Sequence, residues 1–380
     1  MKIEQCQWCA ENGWQPSPSG GTPGAAAQVV FLFGNPKFLK PSGCFDSVRK
    51  AYPAAHLFGC STAGQIQSER VSDDTIALTA IAFEHTRVAA ARVRIESPER
   101  SFEAGERLAR EFPQQGLRHV FVLSEGLKVN ASGLVAGMNS VLPRGVTISG
   151  GCAGDGNRLQ TTHVWCDSDP EESVAAALGF YGERLRVGVS AIGGWKPFGP
   201  DRLITRSKHN VLYELDNQPV LALYKKYLGA YARQLPASGL MFPLELRIGA
   251  DGQRVLRALL AVNEQDQSIT FAGNVPEGVY SRFMVGHIED LIEGTRLAAC
   301  ESLKNLQAIH PQFSVLVSCN GRRFVLRQRI DEEVEAVREA LGPGVALTGF
   351  YSYGEIAPAR TGGACELHNE TMTITSFSEV

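Results

Sequence analysis

The chain contains 380 residues, of which 44% are hydrophobic, and its formal net charge at pH 7 is −3. This near-neutral balance argues against a nucleic-acid-binding protein, and no run of about 18 apolar residues predicts a membrane span. The N-terminal segment MKIEQCQWCAENG lacks the apolar centre of a signal peptide, so we expect a cytoplasmic protein. Its 9 cysteines are accordingly expected to be free thiols.

The first part of the chain, residues 1–28, is predicted to be a flexible tail. The stretch PSPSGGTPG from Pro16 to Gly24 combines turn-forming and flexible residues and separates the tail from the rest of the chain. Cys6 and Cys9 form a single C-x-x-C, with no second pair at zinc-finger spacing. A metal or redox role and a role as surface thiols on a mobile tail are the two alternatives.

From residue 29 onward, the hydrophobic pattern predicts alternating strands and helices. The first cycle consists of a strand at 29–34, a helix at 44–52, a strand at 56–59 and a hairpin-like pair at 76–83 and 88–95. After a helix at 102–112, the second cycle consists of a strand at 120–123, a helix at 130–141, a strand at 146–149 and a hairpin-like pair at 174–181 and 185–192. Together the two cycles predict one domain at 29–199.

Residues 200–380 are predicted to form a second, related domain. Two short strands precede a helix that opens at Pro219, a position where the missing N–H is tolerated. The elements predicted after it are strands at 255–262 and 268–271, a helix at 288–306, and a third cycle with a strand at 314–318, a helix at 331–341 and strands at 345–347 and 372–377. We therefore expect an α/β fold of two related layered domains, built from repeated strand–helix–strand–hairpin units.

A turn of small residues follows the second strand of each cycle. The three turns read GCSTAGQI from Gly59, GGCAGD from Gly150 and GFYSYGEI from Gly349. Small residues at the carboxyl end of a strand let backbone N–H groups converge on a ligand. The alternative is that the glycines serve tight turns and close packing. The candidate ligand-binding residues of the first two turns are Cys60, Ser61, Thr62, Gly64, Cys152 and Asp155.

The third turn carries more titratable chemistry than the other two. Tyr351, Tyr353 and Glu355 stand at alternate positions, so in an extended segment their side chains point to one face. His368 and Asn369 follow a TGGA loop that is able to fold back on the turn. We expect this group either to bind a small polar ligand, such as an amino acid, or to form a buried hydrogen-bond network that orders the segment.

These motifs resemble the FIST (F-box and intracellular signal transduction) domain family. The resemblance rests on the three turns, on HNETMTITSF after the third turn, on NVLYELDNQPVLALYKKYLG and on SCNGRR, and it extends over residues 29–377. It implies a FIST N-terminal domain at 29–199, a FIST C-terminal domain at 200–380 and a bacterial sensory module rather than a metabolic enzyme. Some stand-alone members of the family are nitric-oxide-sensing hemoproteins that regulate a partner histidine kinase or a cyclic-di-GMP enzyme. The resemblance therefore implies a heme-based nitric oxide sensor with such a partner.

Heme binding would require an axial ligand, most simply a histidine. No histidine of this chain lies in a C-x-x-C-H attachment motif, and we take His368 as the metal ligand because of its neighbours in the third turn. The first alternative is a sensor of a small metabolite without heme. The second is a hydrolase with Cys60 or Cys152 as nucleophile and His368 as base, for which the sequence identifies no orienting residue. An arginine cluster at 322–329 is interpreted as a solvated face.

Overall fold

The computed structural model of the protein describes residues 1–18, 24–39, 43–248 and 252–380. In these residues the strands form three six-stranded sheets and one eight-stranded sheet. The predicted α/β fold class is confirmed. Residues 19–23, which belong to the predicted tail, lie outside the described residues.

Strands dominate the described residues, and short helices connect them. The strands are β1 (Lys2–Cys9), β2 (Gly13–Gln15), β3 (Val29–Gly34), β4 (His56–Ser61), β5 (Gln65–Gln67), β6 (Arg70–Ser72), β7 (Thr75–Ala82), β8 (Arg87–Arg94), β9 (Leu117–Ser124), β10 (Thr147–Cys152), β11 (Val164–Cys166), β12 (Val174–Tyr181), β13 (Leu185–Ile192), β14 (Lys196–Lys208), β15 (Val211–Leu215), β16 (Gln218–Pro219), β17 (Leu244–Ile248), β18 (Gln253–Arg257), β19 (Leu259–Asn263), β20 (Ser268–Phe271), β21 (Tyr280–Val285), β22 (Phe313–Cys319), β23 (Ala346–Ser352), β24 (Glu355–Pro358), β25 (Cys365–His368) and β26 (Met372–Glu379). The α-helices are α1 (Pro36–Leu39), α2 (Cys44–Ala51), α3 (Ser101–Arg110), α4 (Ala131–Val141), α5 (Val220–Leu228), α6 (Ile288–Asn305), α7 (Asn320–Leu326) and α8 (Ile330–Leu341).

The three six-stranded sheets share one arrangement, which we call the repeat. Each has a parallel strand pair joined by helical segments, and an antiparallel third strand beside the first member of the pair. The three sets are β3, β4 and β7, then β9, β10 and β12, and finally β22, β23 and β26. The three sheets and their helices form what we call the body.

The body has a single aromatic interior to which all three sheets contribute. The ring of Phe31 lies 5.8 Å from that of Phe121 and 5.7 Å from that of Phe313, each ring coming from a different sheet. All three side chains are buried. Burial of a phenylalanine side chain stabilises a fold by roughly 1.5–3 kcal/mol, so this interior ties the third repeat to the first two. The spans 29–199 and 200–380 therefore contribute strands to one core.

Two predicted hairpins are absent from the described residues, because the strands in question pair elsewhere. Strand β8 joins the second sheet through β12, whereas β7 stays in the first sheet. Strand β13 likewise pairs along its whole length with β26 instead of with β12. An alternating pattern predicts that a segment is a strand but does not identify its partner. Each of these strands therefore links one repeat to the sheet of the next.

The N-terminal segment forms the last two strands of the first sheet, β1 and the edge strand β2, rather than the flexible tail we expected. Strand β1 pairs antiparallel with β7 from Lys2 opposite Ala82 to Cys9 opposite Thr75. The Cys6 side chain is fully buried. Strand β7 would otherwise present unpaired backbone groups at that edge, and β1 satisfies them. Residues 2–9 and 13–15 of the expected tail thus belong to the first sheet.

Residues 196–248 and 252–285 form a separate layer that we call the insert. Its strands make up the eight-stranded sheet, and Tyr224, Phe271 and Phe283 lie in its own buried core. The insert is attached to the body through a buried arginine, Arg257, whose Nη1 donates to the carbonyl oxygen of Leu367 at 2.9 Å. Among the described helices, none is both long and apolar enough to cross a membrane.

Candidate functional site

One glycine occupies the same position in the second strand of each repeat. At that position the parallel neighbour strand approaches so closely that a Cβ atom would overlap its backbone carbonyl oxygen. Only glycine avoids this overlap, so the close approach of the strands explains the first residue of each turn. The three glycines and the residues that face them are Gly59 with Leu32, Gly150 with Val122, and Gly349 with Leu316.

The three turns join one another in a closed cycle of backbone hydrogen bonds, which we call the turn ring. Within this cycle, each turn donates an N–H to a carbonyl oxygen of another turn, and the donors and acceptors occupy equivalent positions in the three repeats. This cycle holds the carboxyl ends of the three strand pairs together. The three bonds run from Ala63 to Tyr351 at 2.8 Å, from Gly154 to Ser61 at 2.9 Å, and from Tyr353 to Cys152 at 3.3 Å.

A cleft of about 400 Å³ opens beside the turn ring, and we call it the turn cleft. Thr62 and Gly64 line it from the first turn, and Arg158 lines it from the loop after the second turn. Arg323 and Arg327 reach it from α7 and the residue that follows. Two of the residues predicted from sequence, Thr62 and Gly64, therefore lie in a cavity of ligand size.

Charged groups of both signs line the turn cleft. Arg323 binds the carboxylate of Asp73 through two hydrogen bonds of 2.7 and 3.0 Å. Asp74 forms a 2.7 Å ion pair with Lys37 in which both side chains are exposed. Such an exposed pair contributes little to stability, so Asp74 can exchange its partner for a ligand. Sequence reasoning missed both aspartates, although they directly precede the strand β7.

Asp155 and Tyr353, two further predicted residues, contact each other at the edge of this cleft. The Tyr353 hydroxyl donates to the Asp155 carboxylate and lies 2.7 Å from the carbonyl oxygen of Gly156. Burial would raise the pKa of Asp155, but the tyrosine and three backbone N–H donors outweigh it and lower that pKa. The ionised carboxylate thereby orders the loop after the second turn. Those backbone donors are Leu159, Gln160 and Thr161.

Tyr351 points into the protein and joins a buried ion pair. Its hydroxyl donates to Glu333 at 2.6 Å, and the same carboxylate accepts from Nε of Arg322 at 2.6 Å. The Arg322 guanidinium is fully buried and also donates to the carbonyl oxygens of Gly193 and Leu291. Our interpretation of this arginine as part of a solvated face is wrong, because neighbouring elements enclose it and saturate its donors.

Glu355 lies in a different buried network from Tyr351 and Tyr353. Its carboxylate accepts from the Ser352 hydroxyl at 2.5 Å and from both the N–H and the hydroxyl of Thr371, at 3.1 and 3.0 Å. Burial raises the pKa of Glu355 to about 8. The structure thus places the three alternate residues in separate networks rather than around one pocket. This matches the alternative of a buried hydrogen-bond network.

Two polar side chains next to Glu355 are fully buried and make no hydrogen bond with any described residue. These are the Glu370 carboxyl and the Asn369 amide. Burial, and to a smaller extent the Glu355 carboxylate, raise the pKa of Glu370 well above its ordinary value. The Glu370 carboxyl rests against Gly321, where a Cβ would collide with it. Asn369 is therefore placed in the protein interior, outside the turn cleft.

Cys60, Cys152 and Ser61 belong to the interior side of the turn ring. The side chains of Cys60 and Cys152 are 0% and 4% exposed, and burial raises the pKa of both thiols. A nucleophilic cysteine requires a lowered pKa, so these neutral thiols argue against the hydrolase alternative. The Ser61 hydroxyl accepts the backbone N–H of His163 at 2.9 Å. Its role in the described structure is to hold that loop.

His368 does not present an open coordination position. Its side chain is buried, its Nε2 lies 3.1 Å from the Ala357 carbonyl oxygen, and burial lowers its pKa to about 4. The adjoining cavity of about 210 Å³ is below the roughly 300–1,000 Å³ typical of ligand pockets. Nor do the described residues contain any group of three or more His, Cys, Asp or Glu side chains placed to hold a metal ion. The surroundings of His368 therefore do not fit a heme in this conformation.

A second cleft, which we call the insert cleft, lies between the body and the insert. Its volume is about 520 Å³, and its walls include Cys152 and Tyr353 from the turns and Leu260, Phe271 and Asn274 from the insert. Cys152 and Tyr353 were candidate residues from the turn motifs, whereas the residues of the insert wall belong to no motif that the sequence analysis identified. The walls of this cleft come from segments far apart in the chain, and only the tertiary structure brings them together.

Comparison with known proteins identifies the family. The FIST N domain matches residues 28–218 and the FIST C domain matches residues 221–358. No curated protein is matched by the sequence. Among solved structures, cyanuric acid hydrolase from A. caulinodans aligns over 100% of this chain and 99% of its own, with a TM-score of 0.35 and 7% identity. Because the two domain matches together cover most of the chain, the protein belongs to the FIST family of sensory signal-transduction domains.

Proposed function

We propose that the protein is a cytoplasmic sensor that binds a small zwitterionic metabolite, such as an amino acid, in the turn cleft. The observation that carries this proposal is the convergence of opposite charges beside the turn ring. Asp73 and Asp74 come from the first repeat, Arg158 from the second, and Arg323 with Arg327 from the third. A zwitterion carries a carboxylate for the arginines and an ammonium group for the aspartates.

The ligand carboxylate is assigned to the arginines and its ammonium group to Asp74. Arginine is suited to the first role because its planar guanidinium binds carboxylates through two parallel hydrogen bonds. Arg327 is exposed at the cleft, and Arg158 lies 4.0 Å from Asp155 at its edge. Arg323 is already bound to Asp73 and serves as a fixed wall.

Helix α7 links the turn cleft to the interior of the third repeat. Arg323 reaches the cleft, whereas its neighbour Arg322 binds Glu333 on α8 and the Leu291 carbonyl oxygen on α6. A ligand that binds better to one position of α7 shifts the population toward that position and repacks both helices. We propose that a separate histidine kinase or cyclic-di-GMP enzyme reads this change.

Thermal unfolding in the presence of each standard amino acid tests the ligand class. A ligand that binds only the folded state raises the melting temperature by mass action, with about 2.7 kcal/mol of stabilisation at 100 times Kd. We expect one or a few amino acids to raise it, and Arg327→Ala to remove that rise. Arg107→Ala, an exposed arginine on α3, is the matched control and should keep it. Failure of every zwitterion to shift the wild-type melting temperature would reject the proposal.

The heme-based nitric oxide sensor stays as a competing proposal, with His368 as axial ligand. Heme would supply an iron centre that binds the gas, and His368 would have to leave the Ala357 carbonyl oxygen to ligate it. The visible spectrum of protein reconstituted with hemin tests this proposal. A Soret band that His368→Gln alters would support it, and an absent or unaltered band would exclude His368 as the ligand.

Both sensor proposals differ from the hydrolase alternative in predicting no turnover. The amide and ester substrates of a cysteine hydrolase offer a direct test with the purified wild-type protein. Hydrolysis that disappears in Cys60→Ala or Cys152→Ala would contradict the sensor proposals.

A further inference from the structure

The insert cleft has the size and the position of a small-molecule site. Its volume of about 520 Å³ lies within the roughly 300–1,000 Å³ that ligand pockets occupy. On the body side, it lies where β9 and β10 end, with Gly126 and Cys152 in its wall. Ligands of α/β proteins commonly bind at the carboxyl ends of parallel strands. The other wall belongs to the insert, so a ligand there touches both parts of the molecule.

Three large apolar side chains from distant segments meet at this cleft. Phe102, Leu127 and Leu260 are 44%, 38% and 45% exposed, and all three line it. Single exposed apolar residues are ordinary on a protein surface, but three around one cavity form an apolar surface that a ligand can cover. The buried side chains of Phe271 and Leu367 continue this surface inward. The cleft therefore favours an apolar ring.

The charged groups of the insert cleft are either paired or exposed to solvent. Lys128 donates to the Glu172 carboxylate. Glu99 is exposed to solvent at the rim of the cleft, where water and salt screen its charge. Among the described residues, no charged side chain of the cleft is therefore both buried and unpaired. A neutral ligand fits this balance better than an anion or a cation.

Amide side chains provide the directional contacts. The Asn130 amide lies 3.5 Å from that of Asn274, across the boundary between body and insert. The Tyr353 hydroxyl is engaged by Asp155, so its ring rather than its polar end serves the cleft. Burial raises the pKa of the Cys152 thiol, which is therefore neutral. Amides both donate and accept hydrogen bonds, which suits a ring with a polar edge.

A buried clamp fixes the relative position of the two walls. Arg257 of the insert donates to the Leu367 carbonyl oxygen of the body at 2.9 Å and to the Asn274 carbonyl oxygen at 2.9 Å. Leu367 and Asn274 both line the cleft. The cavity is thus preformed, which limits the ordering that a ligand must impose when it binds.

We propose that the insert cleft is a second binding site, specific for a neutral aromatic or heteroaromatic compound with a hydrogen-bonding edge, and that its ligand bridges body and insert. This site is separate from the turn cleft and needs no charged ligand. A compound that contacts both walls stabilises the observed arrangement of body and insert, which gives the sensor a second input.

Calorimetric titration with two probes of equal ring chemistry tests this proposal. We expect indole, which is neutral and carries one N–H donor, to bind the full-length protein. Indole-3-acetate, its anionic counterpart, should bind at least about tenfold more weakly, a difference of about 1.4 kcal/mol. Absence of measurable indole binding, or a preference for the anion, would overturn the proposal.

Matched variants then locate the site. Leu260→Asp on the insert and Phe102→Asp on the body should each weaken indole binding at least about tenfold, because both introduce a charge into the apolar wall. Leu297→Asp is the control, since Leu297 is 44% exposed but lies on α6, away from the cleft. Circular dichroism checks that all three variants fold. Unchanged indole binding in either cleft variant would overturn the bridging geometry. Arg327→Ala should leave indole binding intact, which separates this site from the turn cleft.

Discussion

The first and third repeats share one backbone arrangement, but the polar residues just before their third strands lie in opposite environments. Strand register makes Asp73 and Asp74 of the first repeat equivalent to Asn369 and Glu370 of the third. The aspartates are 61% and 68% exposed and line the turn cleft. Glu370 is fully buried, and Gly321 lies directly against its carboxyl group.

This difference separates what the turn ring determines from what its surroundings determine. The ring fixes the path of each turn through backbone hydrogen bonds, which do not depend on side chains. Burial decides whether an acid next to the turn is ionised and accessible to a ligand or held in the interior. In the third repeat, α7 and the segment before the insert bury Glu370. Trp195 of that segment donates to the Glu370 carbonyl oxygen at 2.6 Å.

The largest effect is expected from breaking the buried ion pair of the third repeat. Arg322→Met leaves Glu333 fully buried without its cation, and loss of one partner from such a pair typically costs about 3–5 kcal/mol. Arg323→Met removes an arginine whose partner Asp73 is 61% exposed, and should cost about 0–1 kcal/mol. Urea unfolding measures both changes. Equal losses of unfolding free energy in the two variants would contradict the proposed difference between the two environments.

A double variant separates the loss of the cation from the loss of packing. Arg322→Met combined with Glu333→Leu removes both charges, and it should recover most of the stability lost in Arg322→Met. No recovery would mean that the guanidinium stabilises the fold mainly through its bonds to backbone oxygens, such as that of Leu291.

A smaller effect, equal in the two repeats, is expected at the turn glycines. Gly59→Ala and Gly349→Ala each force a Cβ against the carbonyl oxygen of the neighbouring strand, and overpacking of this kind typically costs about 1–3 kcal/mol. Gly344→Ala is the control, because no atom lies within 4 Å of its Cβ position. The free energy of unfolding in urea measures the three variants. A clear difference between the first two would show that the turns are not equally constrained.

Much of this architecture could be predicted from the sequence, because period and turn composition are local properties. The apolar runs located the strands of the body, and the aligned glycines Gly59 and Gly349 located the turns. Strand partners could not be predicted, since β8 and β13 carry the same alternating pattern whichever sheet they join. The same limit explains β1, whose pairing with β7 depends on an open sheet edge that no sequence window shows.

The candidate site was predictable only where it coincides with the turns. Thr62 and Gly64 line the turn cleft as the small-residue motif suggested. Asp74 and Arg158 have ordinary surface environments in the sequence, and the tertiary fold alone brings them to the cleft. Arg322 resembled a surface residue for the same reason. Its burial depends on contacts with α6, which precedes it by many residues, and with α8, which follows it.

Another effect, spread over several pH units, is expected from the titration of Glu355. Its pKa is about 8 in the folded protein, against about 4.3 in an unfolded chain, so the folded state binds the proton more tightly. Its contribution to stability is therefore present below about pH 4 and is lost as the pH rises toward 8, by at most about 1.4 kcal/mol per pH unit. Glu355→Gln should make the free energy of unfolding less dependent on pH between these limits.

The equivalent position of the first turn provides the matching test. Gln65 is as fully buried as Glu355 and contacts Thr62, but it cannot ionise. If burial at this turn position is enough to raise the pKa of a carboxyl group, Gln65→Glu should make the protein lose stability as the pH rises. Glu355→Gln should remove the corresponding loss of the wild-type protein. Urea unfolding at pH 5, 6, 7 and 8 measures both slopes. A Gln65→Glu variant with the wild-type slope would mean that the third repeat owes its raised pKa to particular neighbours, and not to the turn position that the repeats share.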